Sequence, residues 1–171
     1  MNEARLRRVA TEPLEANSIP SIYQATQQVL WIGCSDSNTR ESNVLNLLGN
    51  ELLVLRNIGN MIIDGDLSSE TAVRHAVVDL QVATDLEHVH SWFVLTMYSK
   101  LNSLYAAHEE EINRVPVVDR DRYFVELNVL DQMRSLCKYT EVTDATKKGH
   151  LQLHGLVYDT NAEKAYRVLE V

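Results

Sequence analysis

The sequence predicts a single α/β domain built on a mainly parallel β-sheet of four to five strands flanked by helices. Short apolar runs bounded by polar residues, such as "VLWIG" at 29–33, are typical of buried strands. Amphipathic helical patterns alternate with these runs, and that order produces parallel pairing through right-handed crossovers. No repeat, low-complexity tract or Gly/Ser linker interrupts the 171 residues. We therefore predict an N-terminal arm over 1–19 and one domain over 20–171.

Four strands are predicted to be central in the sheet, and a fifth extends it. The central strands are expected at 29–34, 51–57, 91–97 and 151–158. "AYRVLEV" at the C-terminus is predicted to pair with the last of them as a hairpin across "DTNAEK".

Helices are predicted in the intervals between these strands. "SNVLNLLGN" has helical spacing and ends at a glycine. The next helix is capped by Ser68 or Ser69, and its apolar stripe begins at Val73. "KLNSLYAAHEEEI" and "YFVELNVLDQMRSLCKY" have apolar residues in helical register and are predicted as two longer helices.

Composition limits the partners and the compartment. The net charge of −8, from 24 acidic and 16 basic side chains, argues against nucleic acid or an anionic membrane surface as a partner. The apolar runs are too short to span a membrane. The two cysteines form no disulfide framework, and the N-terminus lacks the apolar core of a secretory signal, so we expect a cytoplasmic protein with reduced thiols.

The carboxyl ends of the predicted strands are the expected place for a site. In open parallel sheets, ligands bind at that edge. Cys34, Asp36, Gly59 and Met97 all fall at such ends.

Four short blocks carry a family resemblance. "LWIGCSDS", "RNIGN", "ELNV" and "LHGLVYD", in this order, together resemble the β-class carbonic anhydrases from about Val29 to the C-terminus. The resemblance implies zinc as the cofactor, hydration of carbon dioxide as the activity, and association into dimers. In the family, the cysteine of a C-S-D-S-R motif and a later H-x-x-C pair hold the zinc. The aspartate and arginine of the first motif orient the metal-bound hydroxide.

Residue by residue, this chain departs from the family pattern. Cys34 lies at the first ligand position and Asp36 at the dyad aspartate, but the dyad arginine position holds Asn38. The histidine ligand position holds Met97, the second cysteine position holds Lys100, and no H-x-x-C occurs elsewhere. A thioether is a poor zinc ligand and an ammonium repels a dication. The sequence therefore predicts that the zinc site is degraded and that no metal is bound.

The lysine suggests what replaces the metal. We expect the Lys100 ammonium to reach into the former zinc site and to pair with Asp36 or hydrogen-bond near Cys34, while Met97 fills the volume of the lost imidazole. The alternative is a Lys100 side chain that points into solvent at the start of its helix.

Simpler interpretations remain open for the individual residues. Cys34 can be an ordinary buried thiol, and Asp36 can cap a short helix. Arg40 is a candidate replacement for the dyad arginine. His90 is expected to face solvent on its strand, and His154 is expected to serve packing and hydrogen bonding.

Three functions follow as hypotheses. The first is a β-carbonic anhydrase homologue that is inactive or very weak and has a structural or regulatory role, as a homodimer or together with an active paralogue. The second is an active carbonic anhydrase whose zinc site is rebuilt from Cys34, Asp36 and a histidine from elsewhere. The third is anion binding around Lys100 and Arg56, or thiol chemistry at Cys34, on the same scaffold.

Overall fold

The computed structural model describes residues 9–13, 29–45, 48, 51–80, 83–88, 99–159 and 162–170. In chain order its elements are β1 (Val9–Pro13), β2 (Val29–Cys34), α1 (Glu41–Leu45), β3 (Leu52–Asn57), α2 (Leu67–Arg74), β4 (Ala83–His88), α3 (Ser99–Arg114), α4 (Arg120–Leu136), α5 (Thr140–Lys147), β5 (Leu153–Asp159) and β6 (Lys164–Glu170). A 3₁₀ turn, Ile58–Asn60, follows β3, and a π-helical segment, His75–Leu80, continues α2.

The described strands form one six-stranded sheet in the order β1-β6-β5-β4-β2-β3. The pairs β2–β3, β2–β4 and β4–β5 are parallel, whereas β5–β6 and β1–β6 are antiparallel. The predicted α/β fold with a mainly parallel sheet is therefore confirmed, and so is the C-terminal hairpin.

The N-terminal segment accounts for the strand beyond the predicted five. Residues 9–13 were predicted to belong to an irregular arm, but they pair with β6 from Val9↔Glu170 to Pro13↔Tyr166. A proline lacks a backbone N–H and is tolerated in an edge strand, which is where Pro13 lies. Strand β1 therefore covers the outer side of β6, and β3 is the opposite edge of the described sheet.

The central strand between β2 and β5 is formed by Ala83–His88. Residues 91–97, predicted as the third strand, lie outside the described residues. The segment "ATDLEH" contains only two apolar residues and two acids, so its composition does not predict a strand. Pairing on both sides, to β2 and to β5, stabilises it instead.

Strand β2 is buried on both faces, as expected for a strand inside a parallel sheet covered by helices. Leu30 and Ile32 pack in a cluster that includes Val73 of α2. Val29 and Trp31 pack in a second cluster with Leu156 of β5. This burial fixes the strand that carries Cys34 at its end.

Helix α4 lies directly against β5. A Cβ atom at Gly155 would come within 2.6 Å of Met133 Sδ and 2.7 Å of Val129 Cγ1, so a larger residue would force these side chains to move. Val129 is buried and Met133 is partly buried, as the predicted apolar stripe requires. Cys137, predicted to continue that stripe, is exposed because the helix ends at Leu136.

The N-cap of helix α2 lies two to three residues before the predicted caps, Ser68 and Ser69. Asp66 is the N-cap, and its carboxylate accepts hydrogen bonds from Ser68 N at 3.2 Å and Ser69 Oγ at 2.6 Å. The Ser69 hydroxyl bond lowers the pKa of the Asp66 carboxyl. Among the described helices, none has the length and apolar character needed to cross a membrane.

Candidate functional site

The carboxyl ends of β2 and β3 meet at one edge of the sheet. Cys34 and Asn57 are the last paired residues of the two strands. Beyond them, Ser35 N donates to Asn57 O at 2.9 Å, which turns the chain out of the sheet. The Cys34 side chain is buried, with only 1% exposed.

Arg56, the residue before Asn57, holds the loop that follows β2. Its Nε donates to Glu41 Oε1 at 2.7 Å, and one terminal nitrogen donates to the carbonyls of Cys34 and Ser37, each at 2.9 Å. The other terminal nitrogen donates to Thr39 O at 2.7 Å and pairs with Glu41 Oε1. A guanidinium has five N–H donors, and these contacts occupy all of them.

The dyad positions of the family lie on this loop. Asp36 and Asn38 are both exposed, and so is Arg40, the candidate replacement for the arginine. Helix α1 begins only at Glu41, so Asp36 is too far from it to act as its cap. Within the loop, Thr39 N donates to Ser37 Oγ at 3.0 Å and Ser37 N donates to Cys34 O at 3.1 Å.

Lys100 reaches back from the first turn of α3 to four acceptors. Its ammonium donates to Ile62 O at 2.8 Å, Ser135 Oγ at 3.0 Å and Gln132 Oε1 at 3.4 Å. Asp131 Oδ2 lies 3.3 Å away and supplies the counter-charge. The predicted pairing with Asp36 is therefore wrong as to the partner, and the alternative of a solvated lysine is wrong as well.

A polar stripe on α4 receives this lysine and was missed by the sequence reasoning. Gln132 is fully buried; its Oε1 accepts from Ile62 N at 2.7 Å and its Nε2 donates to Asn128 Oδ1 at 2.9 Å. Asn128 Nδ2 donates to Gly59 O at 3.1 Å. The signal that could have found it is a set of polar residues at helical spacing: Asn128, Asp131, Gln132 and Ser135.

The loop bound by this stripe contains the "RNIGN" block. Gly59 and Asn60 have φ values of 71° and 55°, in the left-handed region that glycine and asparagine tolerate best. The Asn57 side chain closes the turn, because its Oδ1 accepts from Met61 N at 2.7 Å and its Nδ2 donates to Met61 O at 2.8 Å.

The ladder between β2 and β4 also places a histidine level with the cysteine. The paired register ends at Ile32↔Leu86, and both strands continue for two more residues, to Cys34 and His88. His88 is therefore at the carboxyl end of β4, beside the end of β2. His90 and Met97 lie outside the described residues.

The remaining candidate histidines are away from this edge or already engaged. His75 is exposed and its Nδ1 lies 2.7 Å from Asp79 Oδ2 on the same helical surface. His154, in β5, is half-buried, and burial, followed by the nearby Arg167, lowers the pKa of its imidazole. The neutral ring agrees with the packing role expected for His154.

The described residues do not supply a zinc donor set at this edge. A catalytic zinc site usually takes three protein ligands. Across the described part of the chain, no group of three or more His, Cys, Asp or Glu side chains is arranged to hold a metal ion. Cys34 is buried, Asp36 is exposed, and Lys100 presents a cation to its own acceptors.

The mainly parallel sheet, with a buried cysteine at the end of β2 and a polar loop after it, indicates an α/β protein whose site lies at the carboxyl edge of the sheet. Comparison with known proteins identifies its family. The sequence profile of the family described as "Carbonic anhydrase" matches residues 29–89 and 83–165. The chain belongs to the β-class carbonic anhydrase family.

Fungal carbonic anhydrases are among its similar relatives. A carbonic anhydrase of Emericella nidulans is 29% identical over 154 residues, which cover 77% of this chain and 65% of the relative. A carbonic anhydrase of Candida albicans is 28% identical over 148 residues, which cover 76% of this chain and 52% of the relative. The chain thus spans only about half to two thirds of the lengths of these relatives.

Solved structures give the same family. The β-carbonic anhydrase CafD of Aspergillus fumigatus is 31% identical, with a TM-score of 0.79 over 94% of this chain and 99% of that one. CafA of the same fungus is 27% identical, with a TM-score of 0.74 over 85% of this chain and 77% of that one.

Proposed function

We propose that this protein is a β-carbonic anhydrase homologue in which hydration of carbon dioxide is lost or very weak, and that its role is structural or regulatory. The observation that carries the proposal is that the Lys100 ammonium is bound by acceptors within the chain. The resemblance aligns Lys100 with the second cysteine ligand of the family. Its ammonium is held by Asp131, Ser135, Gln132 and the Ile62 carbonyl. A cation fixed in this way supplies no lone pair to a metal.

The chemistry of the loop supports the same conclusion. The family dyad needs an arginine two residues after Asp36, and Asn38 is neutral and exposed there. Zinc in the family supplies a bound water with a pKa near 7, and therefore a hydroxide at neutral pH. The described residues at these positions are the Cys34 thiol, the exposed Asp36 carboxylate and the Lys100 ammonium, which is bound by its own acceptors. This set does not fit a zinc ion that activates water.

Metal content is the direct test of the proposal. We expect protein purified without chelator, and then dialysed against micromolar zinc, to contain much less than one zinc per chain by elemental analysis. A Cys34→Ser variant treated in parallel is the matched control, because any zinc held at this loop must depend on the thiolate. One tightly held zinc per chain that disappears in Cys34→Ser would refute the proposal.

The second candidate function is an active enzyme with a rebuilt zinc site. The observation that favours it is the register of β4, which brings the backbone of His88 level with Cys34. Together with Asp36, these residues would give zinc three protein ligands of suitable type. A His88→Ala variant separates the two candidates, since it lowers zinc content only if His88 is a ligand.

Anion binding on the same scaffold has less support. The five N–H donors of Arg56 are taken by internal acceptors, and so is the ammonium of Lys100. Neither cation has a donor directed to an external anion. Thiol chemistry at Cys34 requires access to a side chain that is 1% exposed.

A homodimer is the assembly that we propose, with an active paralogue as the alternative partner. Sheet edge β3 supports it, because Val54 and Ile58 in and after this strand are 43% and 48% exposed. A related structure at 22% identity is described as a tetrameric β-carbonic anhydrase of Sordaria macrospora. Light scattering at micromolar concentration should give twice the chain mass of 19.5 kDa, and a monomer mass would count against the dimer.

We propose a cytoplasmic location, because both cysteines, Cys34 and Cys137, are free thiols. One relative, 23% identical over 159 residues, is named a mitochondrial β-carbonic anhydrase of Arabidopsis thaliana. Fluorescence of a C-terminally tagged protein distinguishes the two compartments.

A further inference from the structure

We propose that Arg56 is the positioning residue of the loop from Cys34 to Glu41, and that its guanidinium keeps the Cys34 thiol closed to solvent. This role is independent of whether the protein binds zinc or hydrates carbon dioxide. It concerns the conformation of the loop that carries Cys34 and Asp36, and it does not depend on which ligand binds there.

The contacts of Arg56 are distributed along the whole loop. Its terminal nitrogens bind the carbonyls of Cys34, Ser37 and Thr39, which are the start, middle and end of the segment between β2 and α1. The Cys34 carbonyl also accepts from Ser37 N at 3.1 Å, but the carbonyls of Ser37 and Thr39 lie outside regular secondary structure and need a side-chain donor or water. One side chain therefore supplies the hydrogen bonds that a ladder would otherwise provide.

Glu41 fixes the orientation of the guanidinium. Glu41 Oε1 accepts a hydrogen bond from Arg56 Nε at 2.7 Å and also contacts a terminal nitrogen of Arg56. These two contacts fix the orientation of the planar guanidinium relative to the loop. The side chains of Arg56 and Glu41 are 25% and 16% exposed, and water therefore competes weakly for these bonds. The pair joins the end of β3 to the first residue of α1.

Closure of the thiol follows from this arrangement. Cys34 is 1% exposed, whereas Ser35 and Asp36, directly after it, are exposed. On this proposal, the loop that follows Cys34 shields the thiol from solvent. Loss of the hydrogen bonds from Arg56 would let the loop move, while the apolar core around Leu30 and Ile32 stays packed.

Thiol accessibility tests the proposal. In a Cys137→Ser background, which removes the exposed cysteine, Cys34 is the only thiol. Its reaction with an aromatic disulfide reagent is followed in 0–2 M urea, after dialysis against a chelator. Arg56→Ala should raise the rate in zero urea by about 10- to 100-fold, the factor expected for lost charge-assisted hydrogen bonds. The increased rate should be nearly independent of urea, as for a local opening.

Arg56→Lys distinguishes geometry from charge. A lysine keeps the positive charge but cannot reach three carbonyls with one nitrogen, so we expect a similar increase. Arg74→Ala is the control, because Arg74 is an exposed arginine whose ion pair with Glu141 spans 3.7 Å elsewhere on the surface. It should leave the rate within about twofold of the parent, as exposed pairs contribute little.

Two results would overturn the proposal. One is a Cys34 rate in Arg56→Lys equal to that of the parent. The other is an increase that follows urea with the slope of global unfolding, which would mean that Arg56 stabilises the fold without positioning the loop. If Arg56→Ala does not fold, Arg56→Lys and Glu41→Gln, which keeps one acceptor oxygen, decide the question by the same measurement.

Discussion

In a stopped-flow assay with added zinc, the purified protein should hydrate carbon dioxide at a rate indistinguishable from the uncatalysed reaction. The expected loss is large because the family reaction depends on a metal-bound hydroxide. On the proposed alignment with the family pattern, Lys100 stands at the position of a thiolate ligand and Asn38 at that of the dyad arginine. Zinc-dependent turnover on the scale of 10³ s⁻¹, roughly the upper end of typical enzyme turnover, would contradict the expectation.

A control and a rescue variant make the assay decisive. Any residual rate that persists in Cys34→Ser does not come from this site. The rescue variant combines Met97→His, Lys100→Cys and Asn38→Arg, and it should bind zinc if the missing ligands are the only defect. Because Lys100→Cys also removes the ion pair with Asp131, this variant should be less stable than the parent.

Lys100→Ala should lower the free energy of unfolding by about 1–3 kcal/mol. The substitution leaves Ser135, which is 3% exposed, and the Ile62 carbonyl without their ammonium donor, and it leaves Asp131 without its counter-charge. The Lys100 side chain is 30% exposed, so the upper end of the range requires water to be excluded from Ser135. Urea unfolding followed by circular dichroism measures the change.

Lys138→Ala is the matched control for this substitution. Lys138 also pairs with a carboxylate, Asp64, at 3.6 Å, but both side chains are more than half exposed. Its loss should cost less than about 0.5 kcal/mol. Equal effects of the two substitutions would show that the contacts of Lys100 contribute no more than an ordinary surface ion pair.

The family and the positions of most elements could be predicted because the signals are local. The run from Val29 to Cys34, the "RNIGN" turn and the "LHGLVYD" strand each carry their pattern within ten residues. Apolar alternation, a glycine with positive φ and a turn of polar residues act on their neighbours in the chain. Cys34 and Asp36 were found at a strand end for the same reason.

The partner of Lys100 could not be predicted in this way. Asp131 and Ser135 lie 31 and 35 residues further along the chain, and only the packing of α3 against α4 brings them to the ammonium. The sequence reasoning considered Asp36 because the family places a dication there. It did not consider a carboxylate on another helix, and Asp131 supplies that counter-charge at 3.3 Å.

The sequence by itself determined that this is an α/β member of the β-carbonic anhydrase family. The tertiary structure alone decided which segment is the central strand, where the N-terminal strand pairs, and which acceptors hold Lys100 and Arg56. The physical reason is that ladder pairing and buried polar contacts join residues distant in the chain. Ala83–His88 becomes a strand because β2 and β5 flank it, although its own composition does not favour one.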